Sequence, residues 1–458
     1  MPGPTVDTVP RASGLRSAAA GPVSAGVDAQ GSGTFQQRSL FGNVARSLAA
    51  SGLDTGGALI VSLLVARWLG DRSNGSYAFA VSISSFVVAI CGFGLPSFTV
   101  RQSASRLASG ANPARGVQRA ISVYVRWSVP LAVCAVATLV GFASPPEADL
   151  LVLSLAGVYG IAMGATGLLI AALQGTEDFE ASILASILQR SGALLFLLLG
   201  TFCVGGVTTY VAGLALSQLA ITVVLGRRVR RTYGIARLIK RTLVKDGLAL
   251  LRQAMPFAVT VVLEVIYFRG VTATLGYVQP PATVGLFAAA HTLFTGSVLP
   301  AYAAATAMYP RLSAAWAADP AGARMMAHRL LAVVGIYGIV AGGALYLASP
   351  VLIWALLGPQ YRESTEALQV LAVAVPLTAT ARFLTFWFNA SGRAKLTTTM
   401  SACAVVAVVA VGTPLCAGAG AIGAAWATVF IEATLVSSAV ALGALRPPAA
   451  TPPRSVIS

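Results

Sequence analysis

The feature that most constrains this chain is a succession of uncharged or nearly uncharged apolar runs, each roughly 20–27 residues long, joined by short polar connections. A run of that length crosses a ~30 Å hydrocarbon core as a helix. The runs place helices at 45–69, 77–100, 117–143, 149–173, 180–201, 205–226, 251–275, 282–308, 327–357, 365–390, 396–417 and 420–444. Of the 458 residues 56% are hydrophobic and 10% are charged, against ~45–50% and ~25% in ordinary soluble domains. Little chain is left over for a soluble domain. The expected fold is an all-α polytopic membrane protein of about twelve transmembrane helices.

A net charge of +16 raises nucleic acid as a partner, and the placement of the charge argues against it. The basic residues sit in alternate connections: Arg101, Arg106, Arg115 and Arg119; Arg311, Arg324 and Arg329; Arg393 and Lys395. The longest connection holds Arg227, Arg228, Arg230, Arg231, Arg237, Lys240, Arg241 and Lys245. The opposite connections hold little beyond Arg72 and Arg362, with Glu147, Asp149, Glu363 and Glu366, and the first of them spans Asp71–Gly75. This is the positive-inside pattern, which puts both termini in the cytoplasm and the basic loops against anionic lipid. The acidic stretch Glu177–Glu180 is a local exception, and acidic residues weigh little in that rule.

Residues 1–44, rich in Gly, Ser, Pro and Ala, lack an apolar stretch before a cleavage site and read as a disordered cytoplasmic tail, as do residues 446–458. A first lobe of six helices then spans 45–226 and a second spans 251–445. Between them, in the linker 227–250, Ile235, Leu238, Ile239 and Leu243 share one helical face while basic residues fill much of the rest, which suits an amphipathic helix on the inner membrane surface. The halves resemble each other. Leu69-Gly70 ends the first helix and Leu275-Gly276 the seventh, and Gly75-Ser76-Tyr77-Ala78-Phe79-Ala80 aligns with Gly285-Leu286-Phe287-Ala288-Ala289-Ala290. At the same offset Arg101 falls on Arg311. Seven of these thirty paired positions are identical, so their placement carries more weight than their number. Such a repeat has its axis along the membrane normal and any substrate site between the lobes.

No G-x-x-x-x-G-K-[ST] and no H-E-x-x-H occurs, and no outward loop is large enough for a catalytic domain. The five cysteines, Cys91, Cys134, Cys203, Cys403 and Cys416, lie in apolar runs without metal-ligand spacing. The chain is therefore expected to be neither an enzyme nor a holder of a cofactor. What stands out is a set of ionisable residues inside the apolar runs: Asp54, Arg126, Arg190, Glu264, Arg269, His291, Arg382 and Glu432. Each costs at least about 2.5–3.5 kcal/mol in lipid unless it faces a wet cavity or a partner. Arg269, near a helix end, has the alternative of snorkelling. Arginine predominates, and its planar fork suits phosphate oxygens, so Arg126, Arg190, Arg269 and Arg382 with His291 are the candidate cavity cations. Asp54, Glu264 and Glu432 are either their charge partners or coupling sites. Gln189, Gln218, Ser191 and Asn389 add hydrogen-bonding groups that suit sugar hydroxyls or helix contacts.

Three stretches carry a family resemblance: Ala66-Arg67-Trp68-Leu69-Gly70 with Gly75-x-Tyr77-Ala78; Leu357-Gly358-Pro359-Gln360-Tyr361 with Ser364, Ala367-Leu368 and Leu371; and Asn389-Ala390-Ser391-Gly392-Arg393-x-Lys395. Over roughly 42–445 the chain resembles bacterial polysaccharide transporters, the Wzx-type flippases of the superfamily that also holds the MATE exporters and the lipid II flippase. The resemblance implies a multi-pass protein of the bacterial cytoplasmic membrane. It would move an undecaprenyl-pyrophosphate-linked oligosaccharide to the outer leaflet by alternating access, with a polysaccharide polymerase and glycosyltransferases as functional partners. The lipid II flippase has fourteen helices rather than twelve, which counts against that assignment, and it lines with arginines the helix in which Asp54 lies, so residue roles there do not carry over. A MATE-like antiporter would instead need a net acidic cavity with Asp54, Glu264 and Glu432 exposed. A membrane-embedded polymerase would need a large outward catalytic loop.

Overall fold

A computed structural model describes the backbone of residues 31–109, 112–142, 149–176, 178, 180–202, 206–235, 237–239 and 244–443; the side chains of 31–54, 108, 142 and 244–246 lie outside the description. Met1–Val44 forms one compact unit and Ala45–Ser458 another. Among the described residues every regular element is a helix.

The helical run Gly31–Gly92 has 62 residues and is interrupted only at Gly70, where φ is 79° and ψ 174°. At ~1.5 Å per residue a straight helix of that length would be about three times as long as the apolar core is thick. Gly70 instead splits it into α1 (31–69) and α2 (71–92), and Val61 and Val65 of α1 pack with Tyr77 of α2. Phe93 and Gly94, both at positive φ, lead to a short α3 (Leu95–Ala108). Then α4 runs from Ala114–Val123 through a π turn at Tyr124–Ser128 into Val129–Phe142. α5 (Leu150–Gln174), α6 (Glu180–Phe202) and α7 (Gly206–Tyr233) complete the first half. The second half comprises α8 (Val244–Val278), α9 (Pro281–Ala318), α10 (Pro320–Leu352, extended by a π turn at Ile353–Leu357) and α11 (Ser364–Ala390). α12 (394–419) and α13 (421–441) follow, divided at Gly420.

Ten described helices are long and apolar enough to cross a membrane. The first and last of these, Thr55–Gly92 and Ala394–Ala441, contain the breaks at Gly70 and Gly420, which divide each into two shorter helices. Side chains decide where helices start: Asp149 caps α5 by accepting from the Leu151 and Val152 amides, and Asp319 does the same for Ala321 and Gly322 ahead of Pro320 on α10. The outer faces remain apolar, as on α10, where Ile336, Ile339, Val340, Leu347, Val351 and Trp354 are exposed. On a chain of spanning length this is a lipid-facing stripe.

Four local expectations need correction. The Asp71–Gly75 loop is helical, because Gly70 alone supplies the turn, and the second helix ends at Gly92 rather than 100. Residues 31–44, assigned to a disordered tail, have helical backbone, and no proline interrupts them. The surface helix of the 227–250 linker is not formed over its described part: α7 continues to Tyr233, Gly234 turns at φ 63°, and Ile235 and residues 237–239 are non-helical. Leu243 and the C-terminal stretch 446–458 lie outside the described residues.

Buried side chains group by half. One large cluster draws on α8–α13 with Ala66 of α1, and another draws on α2–α7 with Leu250 and Ala254 of α8. The halves meet tightly at the Gly70 end. A Cβ on Gly75 would lie 1.7 Å from the Pro281 carbonyl oxygen, and one on Gly285 would lie 1.9 Å from that of Asp71. Two glycines that align in the internal repeat thus let α2 and α9 cross backbone to backbone. Around them Asn74 Nδ2 donates to Gly285 O (3.1 Å), Tyr361 Oη to Ala66 O (2.9 Å) and Arg67 Nη1 to Ala355 O (2.6 Å).

Candidate functional site

A cavity of about 280 Å³ lies in the second half between α8, α9, α11 and α13, with Thr55 of α1 on its wall. Helical spacing assembles it. Glu264, Tyr267, Phe268 and Val271 recur at i, i+3, i+4 and i+7 on α8; Phe287, His291, Phe294, Val298 and Tyr302 share a face of α9; Thr378 and Arg382 are one turn apart on α11, as are Thr428 and Glu432 on α13. The threonines spend their hydroxyl protons on their own helices: Thr378 Oγ1 donates to Ala374 O and Thr428 Oγ1 to Ala424 O.

The charged groups are arranged unequally. Arg382 Nη1 donates to Tyr267 Oη at 2.6 Å, and its guanidinium carbon lies 5.0 Å from the centre of the Phe268 ring and 5.5 Å from that of Tyr267. Those are cation–π distances, so aromatic faces and one phenol hold this cation. Glu432 is 6% exposed, and its Oε2 has no hydrogen-bond partner. Glu264 opens onto the same space. One arginine therefore faces two carboxylates. His291 sits between Phe287 and Phe294, each ring centre 5.5 Å from its own, and Thr295 Oγ1 donates to the His291 carbonyl oxygen.

Arg190 belongs to a different polar group, and Arg269 stands between that group and the cavity, its guanidinium carbon 5.7 Å from the centre of the Phe268 ring. A Cβ on Gly57 of α1 would fall 3.1 Å from Arg190 Cγ, so the arginine stem lies directly against α1. Arg190 acts electrostatically on Tyr210, whose ring is 5.2 Å from that of Tyr77, while Arg269 acts on Tyr77 and Tyr159. Gln189 Nε2 donates to Tyr159 Oη at 3.2 Å. Arg269 also acts electrostatically on His291. Arg126 stands apart. It is exposed on the π turn of α4, and the neighbouring Trp127 packs its Nε1 3.2 Å from a Cβ built on Gly247. Gly247 is in the first turn of α8, so Arg126 lies at the level of a helix start, where a snorkelling arginine and an interfacial tryptophan are at home. The Asp54 side chain lies outside the described residues, and its neighbour Thr55 lines the cavity.

Seven of the eight candidates thus divide: Glu264, His291, Arg382 and Glu432 share one cavity, Arg190 and Arg269 flank a tyrosine cluster, and Arg126 is near a helix start. Sequence reasoning passed over the aromatic partners Tyr267, Phe268, Tyr302, Tyr77, Tyr159 and Tyr210. Their signal was position: tyrosines in membrane helices ordinarily mark the ends of a span, and several of these sit well inside theirs.

A family model described as "Polysaccharide biosynthesis protein" matches residues 40–316. A search of curated proteins finds no match. Among solved structures, the lipid II flippase MurJ in an inward closed conformation aligns with TM-score 0.68 at 14% identity, covering 86% of either chain. An inward-facing multidrug resistance MATE transporter of the MOP superfamily aligns with TM-score 0.65 at 15% identity, over 88% of this chain and 98% of its own. An outward-facing MATE transporter gives 0.56 at 15% identity, over 89% and 96%. At these identities the likeness is one of fold.

Proposed function

Because the chain belongs to the polysaccharide biosynthesis protein family and has the MOP-superfamily fold, we propose that it flips an undecaprenyl-pyrophosphate-linked oligosaccharide across the cytoplasmic membrane of a bacterium. The observation that carries this reading is the placement of charge inside the bundle. Arg190 and Arg269 lie among tyrosines and a glutamine, a set able to hold phosphate oxygens, and Arg382 in the neighbouring cavity can hold sugar oxygens. The two halves act as lobes, sealed at the Gly70 end, which the charge of the loops assigns to the outside. The substrate enters from the cytoplasmic leaflet. Breaking the Gly75–Gly285 contact and closing the opposite end then releases it outward. The driving force is an ion gradient or the membrane potential, since the sequence has no nucleotide-phosphate loop. A polymerase and glycosyltransferases would supply and consume the substrate.

One observation favours a second reading. With Glu264 and Glu432 against Arg382, the second-half cavity is formally acidic, as a MATE-like cation-coupled antiporter requires. Deletion of the gene and analysis of the lipid pool separate the two. A flippase mutant accumulates the linked oligosaccharide on the cytoplasmic face, whereas an unchanged pool contradicts the proposal.

A further inference from the structure

The second-half cavity already holds one cation against aromatic rings, and its charge balance calls for another. Arg382 is met by Tyr267 and Phe268, while the buried Glu432 keeps Oε2 without a partner and Glu264 opens onto the same space. A purely anionic substrate group would gain from Arg382 and be repelled by both carboxylates. A group carrying positive charge would meet Glu432, Glu264 and the Tyr302 ring. Glu432 is buried with Oε2 unpartnered, so an occupant that donates to it gains a charge-assisted hydrogen bond.

We propose that this cavity binds a sugar residue bearing a free amino group, its ammonium donating to Glu432 Oε2 and its ring lying among the aromatic side chains. Arg382 uses one N–H on Tyr267, and its remaining N–H groups face sugar oxygens. Fused to an aromatic wall, hydrogen-bond donors and acceptors select a polar ring over a bare amine. The inference rests on the flippase reading and narrows it: the transported oligosaccharide contains an amino sugar that is not acylated.

The test uses the purified full-length protein in lipid nanodiscs, with glucosamine, N-acetylglucosamine and ethanolamine as probes and saturation-transfer NMR titration as readout. These probes share a sugar ring, an amine, or both. The expected result is glucosamine binding at least about tenfold tighter than either of the others, the scale of one charge-assisted contact. Glu432→Gln, nearly isosteric, removes the preference over N-acetylglucosamine; Glu264→Gln weakens it, and serves if the first variant does not fold. Equal binding of glucosamine and N-acetylglucosamine, or no binding of either, overturns the proposal. Ethanolamine binding as tightly as glucosamine also overturns it, in favour of a general organic-cation site. The lipid pool of the deletion strain judges the flippase reading separately, whatever the probes show.

Discussion

Arg382 and Glu432 sit one helix apart with no carboxylate bonded to the guanidinium, and each limits what the other can do. Replacing Arg382 with Ala leaves Glu264 and Glu432 in one cavity without its arginine. The expected outcome is a fall in transport of at least about tenfold together with a lower melting temperature, because an uncompensated buried charge is among the costliest single changes. Adding Glu432→Gln to that variant should return part of the lost melting temperature. A double-mutant cycle by thermal unfolding in detergent measures the coupling, and strictly additive losses would show that the two do not interact. The glycines give a sharper contrast. A Cβ on Gly75 would fall 1.7 Å from a backbone oxygen, whereas one on Gly56 meets nothing within 4 Å. Gly75→Ala should therefore destabilise by about 1–3 kcal/mol and Gly56→Ala should change little, both read as shifts of the unfolding midpoint. At this scale the sequence was informative about which residues are out of place in lipid, and silent about their grouping. Arg126, Arg190 and Arg382 look alike as arginines within apolar runs. Only the tertiary contacts separate the one beside a helix start, the one among tyrosines and the one in the cavity.

The helices themselves were legible because their signal is additive along twenty or more residues and needs no partner. Their ends were less so. Asp71–Gly75 is polar and turn-like, yet the reversal is made by Gly70 alone, since a single residue outside the helical basin suffices and the polar stretch can stay helical. The same device recurs at Gly420, with φ 54° and ψ −128°, a conformation that only glycine adopts without strain. Gly420→Ala should cost about 1–3 kcal/mol and lower the yield of monodisperse protein on size exclusion, while Gly418→Ala, with nothing within 4 Å, should not. Packing between helices also follows a local code: Gly338 and Gly342, four residues apart on α10, seat that helix against Pro376 and the Ala372 carbonyl of α11. The linker was misjudged for a physical reason. A stripe of Ile235, Leu238 and Ile239 permits a helix without requiring one, and Gly234 at positive φ ends α7 just before it. The acidic exception at 177–180 likewise has an explanation that lies across the fold: Asp178 takes a two-point bond from Arg228, with Nε and Nη2 each at 2.8 Å, so the acid belongs to the basic end.

For the whole molecule, the internal repeat was the most productive weak signal. Seven identities in thirty would decide little, but the aligned Gly75 and Gly285 prove to be a point where the halves touch, as Gly94 against Ala254 and Ala258 is another. A pseudo-symmetric contact that closes one end is what a two-lobe carrier needs, because both lobes must part there together. Tethering the halves at this end should therefore stop transport reversibly. In a cysteine-free background, Arg67→Cys and Ala355→Cys, bridged by a short bifunctional thiol reagent with a cleavable disulfide, should abolish flipping, and reduction should restore it; full activity with the bridge in place would mean that this end does not open. The substrate was not legible from the fold, since a lipid II flippase and a multidrug transporter both align with this chain, at 14% and 15% identity. The most direct measurement is therefore transport itself. Purified protein is reconstituted into vesicles containing an undecaprenyl-pyrophosphate-linked oligosaccharide with an amino sugar, and the fraction reached by a membrane-impermeant amine reagent is followed over time. The account predicts that the protein raises the accessible fraction beyond the outer-leaflet half, and that Arg382→Ala slows this by at least about tenfold. An accessible fraction identical with and without the protein, under an imposed ion gradient or membrane potential, would contradict it.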